Sequence, residues 1–87
     1  LVNEVVPLES LMSRARELAE AIAGGPPLVM AAIKEVVRAS ETLSFQDAMH
    51  RLNREEFQTI KTLYGSEDQL EGAKAFTEKR DPVWKGR

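Results

Sequence analysis

The chain has 87 residues, 43% hydrophobic and 30% charged, the composition of a globular domain and not of a disordered one. It has no cysteine and a single histidine, His50, which excludes a disulfide framework, a thiolate metal site and any site built from several histidines. The 12 bases and 14 acids leave a net charge of −2, but residues 79–87 carry four bases against Asp81 (+3) and residues 1–78 carry eight bases against 13 acids (−5), so an acidic body ends in a basic tail.

Leu1-Val2-Asn3-Glu4-Val5-Val6, closed by Pro7, is rich in β-branched and apolar residues and reads as one short strand. A lone strand needs a partner, and no other segment offers one. The same stretch lacks the basic start and long apolar region of a secretory signal and reads as interior sequence of a longer protein. After Pro7, Leu11, Ala15, Leu18 and Ile22 fall on one helical face. Gly24-Gly25-Pro26-Pro27 ends that helix, with a glycine expected in the left-handed cap, and Pro27 opens a second helix running to about Ser40. Its longest apolar run, Leu28–Ile33, is far short of the ~20 residues a membrane-spanning helix needs.

Ser44 caps a third helix, with Asp47 answering three residues later. Its stripe runs through Phe45, Ala48, Met49 and Leu52, then resumes after Glu55-Glu56 as Phe57, Ile60, Leu63 and Tyr64 before Gly65. Read as one element, this is a helix of ~20 residues and ~30 Å whose stripe drifts, by contact with two neighbours or by curvature around one core. Ser66 and Gln69 form a second capping box, opening a fourth helix with Leu70, Ala73 and Phe76 expected to face inward and Gly72 expected to admit a neighbouring backbone. Asp81-Pro82-Val83-Trp84-Lys85-Gly86-Arg87 reads as an extended tail, because a helix cannot run on through Pro82. The overall expectation is a mainly α fold.

Few residues offer chemistry. Glu55 and Glu56 point about 100° apart on a helix and cannot converge on one atom; with Asp47–Arg51 and Arg51–Glu55 spaced by four, they read as a solvated, ion-paired face. His50, between Met49 and Arg51, reads as a surface histidine, and Ser44 and Ser66 as caps. Gly24-Gly25 lacks the spacing of a phosphate loop. The tail is the one place where function can be read: four bases around Trp84 suit a small phosphorylated ligand, whereas the −5 body disfavours nucleic acid. The structural alternative is that Lys79 and Arg80 complement the negative end of the helix dipole and Trp84 is a packing anchor.

Taken together, the opening strand, Leu18-Ala19, Ile22-Ala23, Pro26-Pro27 and Lys34, then Ser66-Glu67-Asp68, Glu71-Gly72, Ala75-Phe76, Glu78-Lys79-Arg80, Pro82, Trp84 and Gly86, resemble the C-terminal third of the enoyl-CoA hydratase/isomerase (crotonase) superfamily. The ending looks most like the carnitinyl-CoA dehydratase branch. The resemblance implies a four-helix C-terminal lobe of a crotonase-type fold with one short N-terminal strand: residues 1–7 belonging to a spiral domain, 8–80 forming a helical lobe for oligomerisation and CoA covering, and 81–87 the basic tail. It implies a parent enzyme acting on acyl-CoA thioesters through an oxyanion hole, with the catalytic groups upstream of Leu1, no catalytic or metal-binding residue in this chain, and no prosthetic group. Lys79 then matches a lysine approaching the adenine and phosphate end of CoA, Arg80 sits beside it, and Ile60 stands where relatives often carry an aromatic residue near the CoA. The implied partners are further copies of the chain in a trimer-type assembly and acyl-CoA, with no nucleic acid or membrane, in the cytoplasm. The alternative is a free-standing helical protein-interaction module without a CoA role.

Overall fold

A computed structural model describes residues 1–87. After a 3-10 turn at Leu8–Ser10 come five helices: α1 (Leu11–Ala23), α2 (Pro27–Ser40), α3 (Phe45–Asn53), α4 (Gln58–Tyr64) and α5 (Glu67–Glu78). The expected strand over residues 1–7 does not form, since no segment offers a ladder partner; the stretch carries no regular structure and is tied to α1 by Arg14, whose guanidinium meets Glu4 at 2.8 Å and Glu17 at 2.9 Å. No helix is long and apolar enough to cross a membrane.

The single long third helix is in fact two. In a straight helix Phe57 would lie about 140° round the axis from Leu52, so both could not face α2. The chain instead breaks at Arg54–Phe57. Glu55 takes a left-handed conformation (φ 53), the Glu56 N–H donates to the Arg51 carbonyl at 3.0 Å and the Glu55 N–H to the Leu52 carbonyl at 3.0 Å. These are the paired bonds of a Schellman motif, with glutamate where glycine is usual. The break shifts the apolar register by one residue and absorbs the drift of the stripe. Neither anticipated pair, Asp47–Arg51 or Arg51–Glu55, forms: Asp47 accepts from the Ser44 hydroxyl at 2.6 Å, and Arg51 meets Glu56 at 3.4 Å while lying 4.9 Å from the centroid of the Phe57 ring.

The core sits between α2 and α4. Phe57 (1% exposed), Ile60 and Ala32 are buried together, with Val36, Ala39, Leu52 and Leu63 packed around them. α4 has no cap of its own. Glu35 of α2 supplies one, accepting the Thr59 N–H at 2.9 Å and the Thr59 hydroxyl; these bonds hold the Glu35 carboxyl below its ordinary range. The serine half of each expected capping box forms, with Ser44 accepting from the Asp47 N–H and Ser66 from the Gln69 N–H, each at 3.1 Å. The reciprocal half does not, since Asp47 accepts from the Ser44 hydroxyl and the Ser66 N–H donates to the Leu63 carbonyl.

The tail docks on α5. Asp68, 3% exposed, accepts the Lys85 N–H at 2.7 Å and the Gly86 N–H at 2.9 Å, and its own N–H donates to the Arg87 main-chain oxygen at 3.1 Å. The strap therefore satisfies a donor of the first turn of α5 that the helix cannot satisfy itself. A Cβ on Gly72 would stand 3.3 Å from the Trp84 ring, so this glycine admits a side chain, not the backbone anticipated. Gly86, at φ 72, and Lys79, at φ 54, are the other left-handed residues, whereas Gly24 is ordinary at φ −77.

The face of α5 turned to the tail carries Asp68, Gly72 and Ala75. Leu70 and Phe76, expected inward, are 73% and 86% exposed. α1 buries no residue at all. The radius of gyration is 16.3 Å, against about 12 Å for a closed domain of this length. The accessible surface is 7185 Å², about 2,000 Å² above that of a folded monomer of this mass.

Glu55→Gly, which relieves the left-handed glutamate and keeps both Schellman bonds, is expected to stabilise the chain by up to about 1 kcal/mol. Phe57→Ala is expected to lose about 3–5 kcal/mol. Denaturant unfolding followed by circular dichroism measures both; a Glu55→Gly chain less stable than its parent would contradict the assignment of the break.

Candidate functional site

The candidate residues lie at two separate places. Ile60 is 7% exposed inside the α2–α4 core, while Lys79 and Arg80 are exposed at the C-terminal end of α5. The end of α5 carries the candidate bases, and Ile60 lies apart from it in the α2–α4 core.

α5 also ends in a Schellman motif. The Arg80 N–H donates to the Ala75 carbonyl at 3.1 Å and the Lys79 N–H to the Phe76 carbonyl at 3.4 Å, with Lys79 left-handed at φ 54, ψ 43. A residue with a Cβ holds that conformation at a cost of about 1–2 kcal/mol. Just beyond, the Arg80 fork closes on Glu71, nine residues back: Nη1 donates to Oε1 at 2.6 Å and Nη2 to Oε2 at 2.9 Å. Arg80 Nε donates to Glu78 at 2.7 Å. Glu71 Oε1 also accepts the Val83 N–H at 2.9 Å, so one carboxylate holds the chain on both sides of Pro82.

The charges follow from this geometry. The Arg80 guanidinium, helped by the Val83 N–H, pulls the Glu71 carboxyl down to about 2, and Glu71, followed by Glu78, raises the pKa of Arg80. Lys85 meets Glu67 at 3.1 Å and Arg87 meets it at 3.3 Å; the Lys85 bond, then the Arg87 charge, lowers the Glu67 pKa. Residues 67–87 hold five acids and five bases, so the tail lies against its own counter-charges. The +3 stretch is accordingly not a free cationic patch. Of its four bases only Lys79 has no ion pair; Arg80, Lys85 and Arg87 are all engaged.

The depression on this face, of about 440 Å³, is lined by Glu67, Glu71, Lys74, Arg80 and Lys85 among others and presents both signs of charge. A second groove of about 280 Å³ is mostly apolar, formed by Leu28, Val29, Leu63, Tyr64, Ala73 and Trp84. The bases of the tail stand out in the sequence, whereas Asp68 and Glu71 gain their partners only in the fold. The available signal was their spacing of three on the helix that carries the tail, opposite in charge to it. Glu55 and Glu56 serve the α3–α4 corner, and His50 is exposed on α3.

Glu71 contributes stability to the docked tail above its ordinary value of 4.5, and that contribution is lost as pH falls through about 2. Acidification across this range is expected to release the tail and shift the emission of Trp84, the single tryptophan, to the red. Emission unchanged through pH 2, or a transition completed above pH 5, would contradict the clasp.

The enoyl-CoA hydratase/isomerase family matches residues 1–87. The chain is 41% identical to a carnitinyl-CoA dehydratase of Citrobacter koseri and 42% identical to one of Salmonella agona, each over all 87 residues and 33% of the relative. Among solved structures it is similar to an enoyl-CoA hydratase/isomerase from Mycobacterium paratuberculosis (26% identity, TM-score 0.87) and an enoyl-CoA hydratase from Mycobacterium tuberculosis (30% identity, TM-score 0.81), covering 99% of this chain and 32% of each. The chain thus spans about a third of the length of the relatives it matches. With every residue from the unpaired opening to the docked tail accounted for by one family, the chain belongs to the enoyl-CoA hydratase/isomerase family.

Proposed function

We propose that this chain is the C-terminal helical lobe of an enzyme acting on acyl-CoA thioesters, serving self-association and part of CoA binding, with the catalytic groups outside these 87 residues. The observation that carries this reading is the match of the whole chain to one third of its relatives, together with the one base of residues 79–87 without an ion pair, Lys79, at the position that resembles the CoA-approaching lysine of the family. The relatives named as carnitinyl-CoA dehydratases favour a lyase reaction on a CoA-linked acid for the parent. A cytoplasmic location and a trimer-type assembly belong to the same reading.

Lys79 is the CoA contact in this proposal. Its ammonium is an exposed point charge able to meet a phosphate, whereas the Arg80 fork is occupied by Glu71 and Glu78. Ile60, enclosed in the core, acts by shaping α4 and not by touching adenine. Self-association is supported by the exposed apolar residues of α1 and α5, Leu11, Leu18, Ile22, Leu70 and Phe76. The surface excess of about 2,000 Å² on one chain is of the size a protomer loses in an extensive obligate interface.

Lys79→Gly is the informative substitution, because glycine suits the left-handed position while removing the ammonium. The Kd for CoA, measured by titration calorimetry, is expected to rise about three- to fivefold, with the melting temperature unchanged or higher. Unchanged CoA affinity would overturn the Lys79 assignment and leave the protein-interaction module as the better reading. Light scattering at tens of micromolar is expected to give a mass well above 9.7 kDa; a monomer would sink the association role.

A further inference from the structure

We infer that Glu71 is a positioning residue for Lys79, acting through the Arg80 guanidinium and the left-handed turn between them; this rests on the reading that Lys79 meets a phosphate of CoA. A side-chain-bearing residue in the left-handed region persists only where its surroundings over-determine it, and here they do so from both directions. On one side the Arg80 N–H is fastened to the carbonyl of Ala75 at 3.1 Å, and Ala75 is 2% exposed. On the other, the Arg80 fork is held by both oxygens of Glu71 and by Glu78. A planar fork engaged at two oxygens fixes direction as well as distance.

Lys79 lies between these two anchors. Its Cα–Cβ bond is therefore aimed by the clamp, although its own side chain touches no acid. The clamp also engages two carboxylates of α5. Glu71 and Glu78 are both occupied by Arg80. Glu78 additionally reaches Lys74 at 4.0 Å. With these acids engaged, Lys79 is the one base of residues 67–87 left without an ion pair. Arg80 thus does geometric work, and its charge is cancelled before any ligand arrives. Glu71, only 20% exposed at its side chain, is the fixed end of the arrangement.

The test is a double-mutant cycle on the 87-residue chain, titrated with CoA. Glu71→Gln is expected to raise the Kd about two- to threefold in the parent chain and to change nothing further in the Lys79→Gly background. Arg80→Lys keeps the positive charge and leaves the Val83 N–H on Glu71, so the tail stays docked by Trp84 emission; it is expected to raise the Kd by the same factor. This second variant decides the matter if Glu71→Gln loses helicity by circular dichroism. Equal losses from Arg80→Lys with and without Lys79 would make the clamp merely structural and overturn the inference. So would a Lys79→Gly chain that binds weakly while Arg80→Lys and Glu71→Gln bind normally, an outcome that leaves the Lys79 reading standing. Absence of saturable CoA binding by the parent chain overturns both.

Discussion

Phe57 must reach α2, and most of the fold follows from that requirement. It is the one large side chain fully enclosed in the molecule, and a continuous helix from Phe45 to Tyr64 would turn it away from the surface that Leu52 covers. The chain resolves the conflict by stopping α3, placing Glu55 in the left-handed region and restarting as α4. A helix of seven residues is too short to persist on propensity. α4 is held by Phe57 and Ile60 beneath it and by the Glu35 carboxylate at its N-terminus. Register, corner and cap are thus one constraint expressed at three places, and Arg51 closes it by lying over the Phe57 ring.

The same geometry explains why so little else is buried. Once α2 and α4 have satisfied one another, α1 has no neighbour for its stripe, and α5 turns toward the tail the face that carries Asp68, Gly72 and Ala75. Leu70 and Phe76 are left in solvent. Apolar faces of this extent are uncommon on a small closed monomer. Relatives three times as long are in keeping with that, and the opening stretch, apolar and without a ladder partner, has the same character.

The closing motif has a physical meaning that its charges alone conceal. Asp68 and Glu71 stand one turn apart and receive the tail through main-chain N–H groups, Gly72 clears the space that Trp84 fills, and Arg80 ties the helix end to Glu71. Each residue of the pattern thereby has a local task, and the charge of the tail is cancelled on the body that carries it. Lys79 is the exception. It has no ion pair and occupies a strained position where glycine would be cheaper. A residue that breaks a local rule without a local gain is where function is to be sought.

The sequence by itself determined the helices that depend on near neighbours. Ser44 and Ser66 cap as their spacing demands, Pro27 starts α2, Gly65 ends α4, and the tail is extended, because each of these rests on contacts within four residues. It also determined the family, through a pattern that runs the length of the chain. Only the tertiary structure decided the rest. The break before Phe57 and the exposed side of α5 follow from what each face meets. The cap that Glu35 lends to α4 and the bonds of Arg80, Lys85 and Arg87 to Glu71 and Glu67 join residues 9 to 24 positions apart. Helical periodicity sees one axis at a time. It cannot tell which of two stripes a neighbour will cover, or which of several bases a distant carboxylate will claim.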